Sequence, residues 1–68
     1  MKHYTRVITL EGTSYTLGEL ISTDNRVTDI VLDTIGGELL SVMIWTTTDN
    51  TEKIAVVIPY HAVELLVR

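Results

Sequence analysis

The chain has 68 residues, 46% of them apolar and 21% charged, with nine acids against five Lys and Arg for a net charge of -4. That length holds one domain and no second lobe for a cofactor or substrate, and the apolar share excludes a disordered tail. No apolar run approaches the ~20 residues of a membrane helix, no leader-like stretch follows Met1–Arg6, and the lack of cysteine removes disulfides and thiolate metal sites.

A cytoplasmic protein that does not enter a membrane is therefore expected. Nucleic acid is a disfavoured partner, because its binders draw affinity from clustered cations. Here Lys2, Arg6, Arg26, Lys53 and Arg68 are scattered through an acidic chain.

Twenty-six of the 68 residues are Thr, Val or Ile, a β-branched excess that suits pleated, half-buried strands. In chain order, Thr5 to Leu10 reads as a first strand and Glu11-Gly12-Thr13-Ser14 as a turn. Tyr15 to Ser22 reads as a second strand, bulged at Gly18, and Thr23-Asp24-Asn25 as the next turn. Arg26 to Thr34 is a third strand with alternation. Val27, Asp29, Val31 and Asp33 are expected on one face, Thr28, Ile30, Leu32 and Thr34 on the other.

Gly36-Gly37 gives a tight connection into Glu38 to Thr48, the longest strand candidate. Its rows, Leu40-Val42-Ile44-Thr46 and Leu39-Ser41-Met43-Trp45, are both largely apolar. A turn at Thr48-Asp49-Asn50-Thr51 leads to Lys53 to Pro59, also without polar alternation and ended by Pro59. Tyr60-His61-Ala62 fits one 3₁₀ turn and Val63 to Arg68 a last strand. A helix over Tyr60 to Arg68 is the weaker alternative, since nine residues are marginal for one. The expectation is an all-β fold, a small barrel of five or six strands.

The stretch Ile58-Pro59-Tyr60-His61-Ala62-Val63-Glu64-Leu65-Leu66 resembles the end of an SH3 domain, where a strand runs through Pro into a 3₁₀ turn and returns as Val-Glu-aliphatic. Sm-like barrels close in a comparable way. The resemblance covers about ten residues of the 68 and implies an SH3-like or Sm-like barrel architecture. It does not carry the ligands across. Ala62 stands where SH3 domains that grip proline-rich peptides place an aromatic, and only Tyr15 answers to their acidic, tyrosine-rich first loop. The opening helix and the Arg-Gly pair of RNA-holding Sm-like proteins have no counterpart.

One small barrel buries only its inward face, so one of the two apolar rows of Glu38 to Thr48 is expected to face outward. Each apolar side chain removed from water gains roughly 1.5–3 kcal/mol. A chain this short without disulfide or metal also gains from association. A homo-oligomer is expected, a dimer by default, with Leu39, Met43 and Trp45 as interface residues.

Catalysis fails on inventory. There is no Cys, no nucleophile-elbow spacing around Ser14, Ser22 or Ser41, and His3 is expected near a mobile terminus. No catalytic residue, cofactor or metal site is assigned. Asp29 and Asp33, about 13 Å apart along a strand, cannot jointly hold an ion.

The remaining chemistry lies in Trp45, Tyr60, His61 and Arg26, a set suited to a base and a phosphate. The first functional reading is a non-enzymatic binding module. It holds a small anionic, nucleotide-like ligand or a peptide at subunit junctions, and acts by sequestration as some phage-encoded immune antagonists do. The second is a structural or adaptor protein that docks a protein partner through an apolar strand face or a sheet edge.

Overall fold

The structure, a computed structural model, describes residues 2–68. It is all-β, with one 3₁₀ turn. In chain order the strands are β1 (Lys2–Tyr4), β2 (Arg6–Thr9), β3 (Ser14–Thr16), β4 (Leu20–Ser22), β5 (Asn25–Ile35), β6 (Glu38–Thr48), β7 (Thr51–Pro59) and β8 (Val63–Val67). The 3₁₀ turn, Tyr60–Ala62, links β7 to β8, and no C-terminal helix forms. Pro59 supplies the extended residue before the turn and Val63 the extended residue after it.

Two antiparallel sheets share the chain. The larger has the order β1-β5-β6-β7, with β4 also on β5, and the smaller has the order β3-β2-β8. Neither closes on itself.

The expected first strand, Thr5 to Leu10, begins earlier and is two strands, β1 and β2, divided at Thr5. The ribbon there passes from the larger sheet to the smaller. The Thr5 N–H donates to the Val67 carbonyl (2.7 Å) and the Thr5 carbonyl accepts from the Leu17 N–H (2.9 Å), so the division leaves both groups bonded.

The expected second strand, Tyr15 to Ser22, is likewise two strands, parted around Gly18. Gly18 has φ of +85°, which a side chain would strain. The bend stays tied to β5: the Gly18 N–H donates to the Val27 carbonyl, and the Val27 N–H donates to the Glu19 carbonyl. Strands that serve two sheets let a short chain cover a core from both sides.

The core consists of Val7 from the smaller sheet and Val27, Ile30, Leu32, Val42, Ile44 and Ile58 from the larger, flanked by Tyr4, Tyr15, Val56, Ala62, Val63 and Leu66. Its composition corrects the expected faces of β5. The register slips between Val27 and Asp29, making Thr28 a bulge. Val27 therefore joins Ile30 and Leu32 in the core, while Asp29, Val31 and Asp33 take the opposite face. A bulge inserts one unpaired residue and reverses the facing of everything beyond it. Two more irregularities do the same, at Leu40 in β6 and at Ala55 in β7.

Candidate binding surface

On β6, Val42, Ile44 and Thr46 point into the core, and Ser41, Met43 and Trp45 point away from the smaller sheet. One apolar row of β6 thus faces outward. Cross-strand pairing extends it. Val31 and Val57 flank Met43, while Asp29 and Ile54 flank Trp45. Val31 is 3% exposed although it stands outside the core cluster. Met43 and Trp45 are half-buried. Ile54 and Val57, on the outermost strand, remain 44% and 57% exposed.

Leu39 does not belong to this row. The Leu40 bulge sets Leu39 opposite Thr34 rather than in line with Ser41. The slip turns Leu39 to the core side, where with Lys2, Leu32 and Thr34 it lines an open hollow of about 240 Å³ at the sheet's end. The expected interface trio Leu39, Met43 and Trp45 is therefore split between two faces. Even spacing in the sequence cannot reveal a bulge.

Arg26 and Trp45 lie on neighbouring strands at one end of the outer face, since Arg26 pairs with Thr47, two residues beyond Trp45. The Arg26 guanidinium donates to the Gly18 carbonyl, holding the arginine stem over the bend between β3 and β4. Beside it, the Thr28 hydroxyl donates to the Trp45 carbonyl (3.5 Å) and the Thr47 hydroxyl to Thr28 Oγ1 (3.4 Å).

Tyr60 and His61 lie elsewhere. Pro59, just before them, pairs with Ser41. Ser41 and Thr47 are six residues apart on β6, about 20 Å along a strand. Within one subunit the fold brings Arg26 and Trp45 together and keeps Tyr60 and His61 at the far end. Both of the latter are exposed.

The outer face also carries a pair that sequence reasoning missed. His3 Nδ1 donates to both oxygens of Asp29, at 2.9 and 3.1 Å. Asp29 Oδ1 further accepts from the Ile30 N–H (2.9 Å). His3 is held in β1 opposite Val31, rather than loose at a terminus. The partners are 26 residues apart, and only the pairing of β1 with β5, absent from the expected strand set, brings them together. The pair is largely solvent-exposed, which limits its worth to about 1 kcal/mol or less.

Carboxylates border the tryptophan. Asp29 is its direct cross-strand neighbour, and Glu52 pairs with Thr47 two residues on. Among the described residues no three His, Cys, Asp or Glu side chains are grouped as metal ligands. No helix there is long and apolar enough to cross a membrane. No family model matches the chain, and no significant match exists among curated proteins or solved structures.

Proposed function

We propose that the chain is a non-enzymatic binding module that works as a homo-oligomer. Its two sheets form an SH3-like or Sm-like barrel left open along β7. The observation that carries the reading is the second apolar row, Val31, Met43, Trp45, Ile54 and Val57, lying on the face away from the core. Val31 is already covered, so what another surface would remove from water is Ile54, Val57 and the open parts of Met43 and Trp45. The strand–3₁₀–strand closure, with Tyr60–Ala62 between β7 and β8, supports the barrel class.

The ligand that suits this module is small, planar and anionic, held at a subunit junction and sequestered there. Arg26 and Trp45 supply a cation and a stacking surface on one face, and Tyr60 and His61 supply the rest from a second subunit. Native mass spectrometry of the purified chain tests the assembly. A mass at a multiple of 7.6 kDa is expected, and only the single-chain mass at micromolar concentration overturns it. Thermal shift against a nucleotide panel tests the ligand. A nucleotide at 100 times its Kd adds about 2.7 kcal/mol, and a flat panel removes the ligand reading.

A second reading, an adaptor that docks another protein, is favoured by the free edge of β7. Capture of one defined protein by a chain that is monomeric alone would favour it over the first.

A further inference from the structure

We propose that the hollow lined by Lys2, Leu32, Thr34 and Leu39 is a second, separate binding site, and that it takes a small monocarboxylate with a short apolar tail. The site lies within one copy. It therefore stands whether or not copies associate, and apart from the ligand reading at Arg26 and Trp45.

Strand register builds the hollow. Lys2 on β1 pairs with Leu32 on β5, and Thr34, two residues on, pairs with Leu39 on β6. Direct and diagonal neighbours on one sheet face stand about 4.5–8 Å apart, so side chains from three strands converge. Leu39 joins them only through the bulge at Leu40. With even pairing it would stand on the outer face with Met43 and Trp45. Bulges often re-aim a side chain beside a functional site. Leu39 is 44% exposed and outside the outer row, so covering that row leaves it in water, whereas an occupant of the hollow does not.

The lining selects the occupant. Leu32 is a buried floor and Leu39 an apolar wall, with Lys2 and Thr34 exposed beside them. The ion pair of this strand joins His3 to Asp29 on the opposite face and leaves Lys2 out. None of the four described lining residues is acidic in a chain of net charge -4, so the hollow is a locally positive place on a negative molecule.

Such a place draws an anion, and one ammonium matches one charge. A carboxylate carries one, while a phosphate monoester carries about -1.5 to -2 and would leave its excess facing an acidic surface. The Lys2 ammonium and the Thr34 hydroxyl are both donors for carboxylate oxygens, and Leu32 and Leu39 are contacts for the tail. Size sets the length of that tail. At about 30 Å³ per water-sized unit, the hollow of about 240 Å³ holds about eight non-hydrogen atoms, the size of hexanoate.

Hexanoate titrated into the isotope-labelled chain, followed by amide chemical shifts, tests the site. Acetate, hexanol and hexylammonium are titrated alongside. Saturable shifts are expected at Lys2, Leu32, Thr34 and Leu39. Hexanoate should bind about tenfold more tightly than acetate, which lacks the tail. It should bind about three- to fivefold more tightly than hexanol, which lacks the charge, because the exposed Lys2 acts at the strength of a surface pair. Lys2→Gln should bring hexanoate down to the level of hexanol and leave hexanol unchanged, and Leu39→Ser should weaken both. Both positions are exposed, so the fold should survive, and the amide spectrum of each variant reports it. The proposal is overturned by shifts centred on Arg26 and Trp45 instead, by hexylammonium binding as well as hexanoate, by hexanoate affinity unchanged in Lys2→Gln, or by no saturable shift at the four residues. None of these outcomes bears on the oligomer reading, which native mass decides.

Discussion

Two threonines in the interior have opposite circumstances. Thr9 is 4% exposed, and its hydroxyl accepts the Thr13 N–H at 3.1 Å while its own N–H donates to the Thr13 carbonyl, closing the first turn. Thr46 is fully buried on the core side of β6, and its hydroxyl has no hydrogen-bond partner among the described residues. A buried polar atom left unpaired costs about 1–3 kcal/mol. Thr46→Val, which keeps the shape and removes the orphan, is expected to raise stability by about 1 kcal/mol. Thr9→Val, which strands the Thr13 amide, should lower it by a similar amount. Urea titration decides both: the midpoint moves up for the first and down for the second, with unchanged slope. A lower midpoint for Thr46→Val would show that its hydroxyl has a partner after all. Neither role was legible in the sequence, where the eleven threonines look alike as strand formers.

At the scale of elements, the hairpin tips were legible because turn chemistry is local. Gly36 and Gly37 have φ of +60° and +85°, and Ile35 pairs with Glu38 across them, a two-residue turn of the mirror-image type. Asp49 and Asn50 take φ of +52° and +62° between the paired residues Thr48 and Thr51, the same turn built without glycine. Asn tolerates this region far better than Ala does. Asn50→Ala is expected to cost about 1 kcal/mol and Asn50→Gly to be neutral or stabilising, so a thermal melt should rank Gly at or above the native residue and Ala below both. Equal melts for the two variants would remove backbone strain as the cause.

The long strands and the 3₁₀ turn were legible for the same local reason. The three bulges and the bend at Thr5 were not, and Gly18, expected as a bulge within one strand, is a break between two. They answer to how two sheets wrap one core, and a period-two pattern carries no mark of a skipped residue. Even alternation therefore sets Leu39 with Met43 and Trp45, and Val27 with Asp29, where the folded chain parts them.

At the scale of the molecule, the fold is about as compact as is usual for its mass. Its accessible surface of 4429 Å² is close to the roughly 4,300 Å² of a typical folded monomer of 7.6 kDa, so loose packing does not explain its exposed aliphatic residues. Ile54 and Val57 among them belong to the outer row of the larger sheet, while Leu65 and Val67 lie on β8 of the smaller one and Leu10 and Leu17 in the turns that follow β2 and β3. A 68-residue chain has a stability of about 3–10 kcal/mol to draw on, and an interface that buries the exposed part of the outer row adds to it by mass action. The melting temperature of the native chain should therefore rise with its own concentration, by several degrees over a hundredfold range. The double substitution Ile54→Lys and Val57→Lys puts charge on two exposed sites outside the core, so the fold should survive it. It should also leave a melting temperature that no longer depends on concentration. Circular dichroism at two path lengths measures this. A flat response from the native chain, or one that persists in the double variant, would mean that the β6–β7 face serves no second copy.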